Sequence, residues 1–107
     1  MFTRIVELTS KTGKHRELTR VVDDKVVPIL KKQTGFVDEI LLVSDGEPDR
    51  VVSVSFWKRR EDAEQYHQQQ YAAIRDMVRP FLEADPVIRT FNVSSSTTHK
   101  IAAGKAA

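Results

Sequence analysis

Cysteine is missing from this chain altogether. Its absence excludes disulfides, thiolate nucleophiles and cysteine-ligated metals. Glycine is scarce, with four residues, all isolated, so no glycine-rich loop is available to cradle a phosphate. No apolar run approaches the roughly 20 residues that a membrane span needs. Arg4 and Glu7 interrupt the first apolar stretch, the wrong pattern for a secretory leader, and a cytoplasmic location is the expectation. Neither sign of charge dominates. The 17 Lys and Arg against 15 Asp and Glu leave a net +2, too little to argue for nucleic acid. His15, His67 and His99 lie far apart and form no close-spaced pair, so no metal site is expected. No Gly-x-Ser-x-Gly elbow occurs, and the Ser94-Ser95-Ser96 run reads as a strand edge or tail.

What remains is an ordinary globular composition, 40% hydrophobic and 30% charged over 107 residues, enough for one domain with a modest core. FTRIVELT (2–9) is β-branched and partly alternating, and reads as a strand. TSKTGK breaks it, with Ser10 or Thr12 available as a helix cap. From Lys14 to Lys32 the apolar residues Leu18, Val21, Val22, Val26, Ile29 and Leu30 fall at helical spacing. Pro28 lies inside that pattern and predicts a kink or an early end. Gly35 suits a C-cap or turn. Strands follow at 35–44 and 50–57, joined by the turn-rich DGEPDR, which argues for an antiparallel hairpin. A second helical region spans about Arg60 to Leu82. Gln68, Gln69 and Gln70 interrupt its stripe, which predicts two helices meeting near Gln70. A fourth strand is expected at 86–96, then a small-residue tail.

The order β-α-β-β-α-β predicts an α+β, ferredoxin-like domain at 1–98, with a four-stranded antiparallel sheet, both helices on one face and a flexible or arm-like tail at 99–107. In the third strand Val52, Val54 and Phe56 share a face, and Val51, Ser53, Ser55 and Trp57 share the other. The uniformly apolar set is expected to meet the helices. In the second strand both faces are apolar, which points to a homodimer packed through its sheets.

The strand, TGK turn, amphipathic helix with a late proline, TGF opening the second strand, and Phe56-Trp57-Lys58 leading to Asp62-Ala63 resemble the antibiotic biosynthesis monooxygenase superfamily of dimeric α+β barrels, over about residues 2–93. The resemblance implies a dimer with a pocket between sheet and helices in each subunit. It does not imply a single function, because some members are cofactor-free oxygenases of aromatic phenols or quinols and another branch breaks haem. For the oxygenase branch it implies that Trp57 lines the pocket and that Ser53 stands where that branch has Asn. That branch's helix Tyr falls at Ala63. The haem branch's Asn, Trp and His fall by register at Val6, Tyr66 and Asp76, so haem ligation in that manner is disfavoured.

The expected activity is therefore cofactor-independent oxidation of an aromatic phenol or hydroquinone by molecular oxygen, with no cofactor and no metal. Trp57 and Tyr71 would hold the ring, Ser53 and Tyr66 would hydrogen-bond its oxygens, and His67 would be the base. Each residue also has a plain packing or surface role open to it. Arg4, Arg75 and Arg89 could steer an anion, or lie on the surface. The alternative is a non-catalytic barrel that binds a small apolar ligand. RNA binding is disfavoured, because adjacent Phe56 and Trp57 point to opposite faces of the sheet.

Overall fold

The computed structural model describes residues 1–99. Its elements are β1 (Phe2–Thr9), α1 (His15–Val21), a widened π turn (Val22–Val26), α2 (Val27–Lys31), β2 (Phe36–Val43), β3 (Arg50–Trp57), α3 (Arg60–Val78), a short 3₁₀ turn (Arg79–Phe81) and β4 (Val87–Asn92). The four strands form one antiparallel sheet in the order β2-β3-β1-β4. The helices cover one face, the ferredoxin-like arrangement expected of the element order. The tail expected at 99–107 falls, after His99, outside the described residues.

Leu18, Val22, Val26 and Leu30 are all buried and recur at every fourth residue. In a regular α-helix that spacing overshoots a full turn by about 40° per step, and drifts about 120° over three steps. The π turn corrects the drift. Val27 N–H donates to Val22 O, an i→i−5 bond that adds less rotation per residue. Pro28 stands just past it, in the first turn of α2, where its missing N–H is harmless. The proline therefore neither ends the helix nor breaks it. Neither Ser10 nor Thr12 caps α1, whose N-cap is Lys14 with no side-chain bond. Instead, Ser10 Oγ donates to Asp49 Oδ1 (2.9 Å), and Gly13 N–H reaches the same oxygen at 3.2 Å. The hairpin thus holds the turn before α1.

α3 is one unbroken helix, not two. Gln68 and Gln69 face solvent, and half-buried Gln70 takes the core-facing position between Tyr66 and Ile74. Glutamine forms helix well, so the gap in apolar pattern is no gap in structure. β4 ends at Asn92, shorter than the expected strand.

The faces of β3 are the reverse of the expectation. Val51, Ser55 and Trp57 are buried under the helices, with half-buried Ser53 in the same row, while Val52, Val54 and Phe56 are only half-buried on the open face. The polar row is the inner one because Ser53 and Ser55 line a cavity. In β2 a bulge between Phe36 and Asp38 switches the alternation. Phe36 and Leu41, of opposite parity, consequently pack on the same core. The open face is left with Ile40, Leu42 and Phe91 at 43, 49 and 50% exposure.

Candidate active site

The pairing of β1 with β3 puts Phe2, Arg4, Val6 and Leu8 opposite Trp57, Ser55, Ser53 and Val51, facing the helices. One member of that row is a cation. Arg4 is only 4% exposed. Among the described residues no carboxylate lies within 4.0 Å of its guanidinium. Its neighbours are the ring of Tyr66 at 5.3 Å, the ring of Tyr71 at 4.7 Å and Nδ1 of His67 at 2.8 Å. Burial pulls the Arg4 pKa below its ordinary value, opposed by the two tyrosines. A guanidinium stays charged all the same. A buried cation offset only by ring faces and one neutral acceptor is an open electrostatic demand.

Helical spacing along α3 gathers the partners. Tyr66 backs onto Trp57, with ring centroids 5.1 Å apart. Tyr71 stacks on His67 at 4.7 Å. Because Arg4 donates to Nδ1, the His67 ring is neutral with its proton on Nε2. Partial desolvation and then the Arg4 charge lower its pKa. Burial pushes the Tyr66 hydroxyl up to about 12, against the pull of Arg4, so it is a donor and not a base. Burial raises Tyr71 too, with Arg4 and Arg75 opposing.

A cavity of about 50 Å³ lies between sheet and helices. Arg4, Ser53, Ser55, Tyr66, Tyr71 and Arg75 supply its polar groups, and aliphatic side chains including Val22, Val26 and Ile74 supply the rest. It is smaller than the roughly 300 Å³ of typical ligand sites. Two wider cavities adjoin it. One, of about 260 Å³, shares Arg4 and includes His67. The other, of about 500 Å³, shares Arg75 and Pro86. Ser53 Oγ donates to Glu39 Oε1 (3.0 Å), which leaves it as an acceptor toward the cavity. Burial raises the Glu39 pKa, with the Ser53 bond opposing.

The expected site residues therefore divide. Ser53, Tyr66 and Tyr71 share the inner cavity. His67 is exposed, lines the neighbouring cavity and reaches the inner one only through Arg4. Trp57 is 0% exposed and lines neither of these two cavities; its indole N–H donates to Ser55 Oγ (2.9 Å) and its ring meets Phe36 edge-on at 5.6 Å. It supports Tyr66 from behind. Of the three arginines weighed as anion-steering or surface charges, Arg4 is buried at the cavity, Arg75 lines it with a side chain 41% exposed, and Arg89 pairs with Glu7 on the outer face at 3.2 Å. Glu39 is a site neighbour that sequence reasoning missed.

The fold is ferredoxin-like, with Tyr66 and Tyr71 among the walls of the cavity between sheet and helices. A family model described as antibiotic biosynthesis monooxygenase matches residues 1–85. The chain belongs to that family. Among solved structures it is similar to a monooxygenase from the gene ActVA-Orf6 of Streptomyces coelicolor in complex with the ligand nanaomycin D (TM-score 0.77, 15% identity, covering 89% of this chain and 88% of that one). It is similar to SnoaB, a cofactor-independent oxygenase from Streptomyces nogalater (TM-score 0.76, 16% identity, 90% and 95% covered). A conserved protein from Methanosarcina mazei is also similar (TM-score 0.73, 16% identity, 85% and 91% covered). At these identities the likeness shows the fold. The comparison with curated proteins finds no match. Among the described residues no helix is long and apolar enough to cross a membrane.

Proposed function

We propose that this chain is a cofactor-independent monooxygenase of aromatic phenols or hydroquinones, in which Arg4 holds the substrate oxyanion. The observation that carries the reading is the buried Arg4 guanidinium, with no carboxylate partner among the described residues and facing a cavity walled by two tyrosines. A phenolate supplies the missing negative charge, and its ring suits the aromatic and aliphatic walls. Family membership and the oxygenases among its structural relatives support the same reading.

The chemistry needs electrons only from the substrate. A phenolate passes one electron to oxygen, and the resulting radical pair combines at a ring carbon to give a peroxide. Loss of the proton on that carbon and cleavage of the O–O bond leave a quinone carbonyl and water. One oxygen atom enters the product and the other leaves as water. The protein's part is to favour the phenolate, hold the ring and exclude solvent. In the free site Arg4 donates to His67. A phenolic oxygen docking on Arg4 competes for that N–H, and the released Nδ1 takes the phenolic proton. Tyr66 donates to a substrate oxygen, and Ser53, whose own proton goes to Glu39, accepts from a second, protonated substrate hydroxyl. The cavity is narrow, so the ring enters as the wall shared with a wider neighbour opens.

The open sheet face is proposed to pack on that of a second copy, forming a homodimer. Its exposed Ile40, Leu42 and Phe91 beside Val52, Val54 and Phe56 support this.

The test is oxygen uptake by chelator-treated protein with a panel of hydroquinones and anthrols, against a no-enzyme control. Saturable acceleration is expected, and Arg4→Gln should reduce it on the order of 10²–10³-fold. No acceleration across the panel, with saturable binding of the same compounds, would favour the ligand-binding barrel instead.

A further inference from the structure

The geometry points to a substrate that carries a carboxylate as well as a phenol, with Arg75 as the residue that reads it. This rests on the proposed function and adds the second anchoring group.

Arg75 lies one turn of α3 beyond Tyr71, on the same helix face. It lines the inner cavity, and with Pro86 it forms the wall shared with the outer cavity of about 500 Å³. Its Nε is buried and has no hydrogen-bond partner. The side chain as a whole is 41% exposed, and the Asp76 carboxylate pairs with it only at long range, 4.0 Å, beyond hydrogen-bond reach of the Nε. A buried donor without an acceptor costs free energy unless something fills the place. Nε–H and the adjoining Nη–H form the fork that matches the two oxygens of a carboxylate.

The charges around the outer cavity narrow the placement. Arg79 lines it together with Glu83 and Asp85, so an anion out there meets acids as well as bases. The Asp85 charge also reaches Tyr71, but against the buried Nε no acid is within hydrogen-bond reach. Arg4 of β1 lies over the Tyr71 ring, and Arg75 follows Tyr71 by one turn of α3, so both cations line the inner cavity beside that ring. The phenolic oxygen then sits at Arg4, the ring lies against Tyr71, and the carboxylate sits at the Arg75 wall where the ligand entered.

Calorimetric titration with 4-hydroxybenzoate and with its methyl ester tests this. The two probes differ in the charge of one group, and air does not oxidise either. Wild-type protein is expected to bind the acid roughly tenfold or more tightly than the ester. Arg75→Gln should abolish that preference and leave ester binding within about twofold. Arg79→Gln, which changes only the outer cavity, should keep most of it. Equal affinity for acid and ester, a preference that survives Arg75→Gln, an equal loss in Arg79→Gln, or no binding of either probe would each overturn the inference. The outcome is independent of catalysis. An acid preference that depends on Arg75, with no oxygen uptake from any phenol, would sink the oxygenase and leave the carboxylate site standing. Oxygen uptake with no acid preference would sink this inference alone.

Discussion

Arg4 shares its strand row with Phe2, Val6 and Leu8, all buried. The alternation of β1 therefore carried the position of the cation in the sequence, but composition alone favours an exposed arginine. His67 was the more visible candidate, and its role depends on Arg4. His67→Gln separates the two tasks expected of it: a glutamine oxygen can accept from Arg4 but takes no proton. We expect His67→Gln to lower kcat by about 10²-fold with KM little changed, measured by oxygen uptake. A wild-type rate would remove His67 as the base. In the wild type the rate should fall on the acid side, below the ordinary imidazole value of 6.5, because desolvation and the Arg4 charge lower the His67 pKa. The folded state binds fewer protons there than the unfolded chain. Stability from this residue is thus held above 6.5 and lost as the pH drops through the lowered folded value. The Gln variant should show neither effect.

Among the elements, the strands of the hairpin were legible because Gly35 and the DGEPDR turn bracket them. Gly35 adopts φ 79°, which a side chain rarely tolerates. A Cβ there would also collide with the buried Asp62 side chain at the start of α3. Lys58 N–H donates to Gly35 O at 2.8 Å, so the turn before β2 and the start of α3 are held together. Gly35→Ala should destabilise the fold by about 1–3 kcal/mol, read from urea unfolding. Wild-type stability would mean that the turn relaxes freely. Less was legible where local pattern and tertiary demand disagree. The glutamine run hides a continuous helix because one core-facing place is filled by a polar residue. The apolar row of β3 suggested a core face, whereas the cavity needs serines inside and the sheet keeps its aliphatic row for the outside.

For the molecule as a whole, element order was sufficient to give topology, since short links and right-handed crossovers leave few arrangements of two helices and four strands. The cavity was not legible, because it depends on which long side chains converge from β1 and α3, far apart in sequence. The open face makes its own demand. Ile40 lies across from Val54 on that face, in a patch that water covers poorly. Sedimentation equilibrium at micromolar concentration should show a dimer for the wild type and a monomer for Ile40→Glu, as burying an unpaired carboxylate in an apolar interface is strongly unfavourable. A wild-type monomer would exclude packing through the sheets.

The π turn in the first helix has a consequence for how chain length can vary in this fold. Leu18, Val22, Val26 and Leu30 keep a cadence of four only because the turn between them is wide. Remove Asp24, and the same residues stand at intervals of four, three and four, the rhythm of an unmodified α-helix. With Pro28 replaced as well, so that no proline falls inside a regular helix, the shortened chain would present the same core from one residue fewer. The segment is a place where a residue can be gained or lost while Leu18, Val22, Val26 and Leu30 keep facing the core.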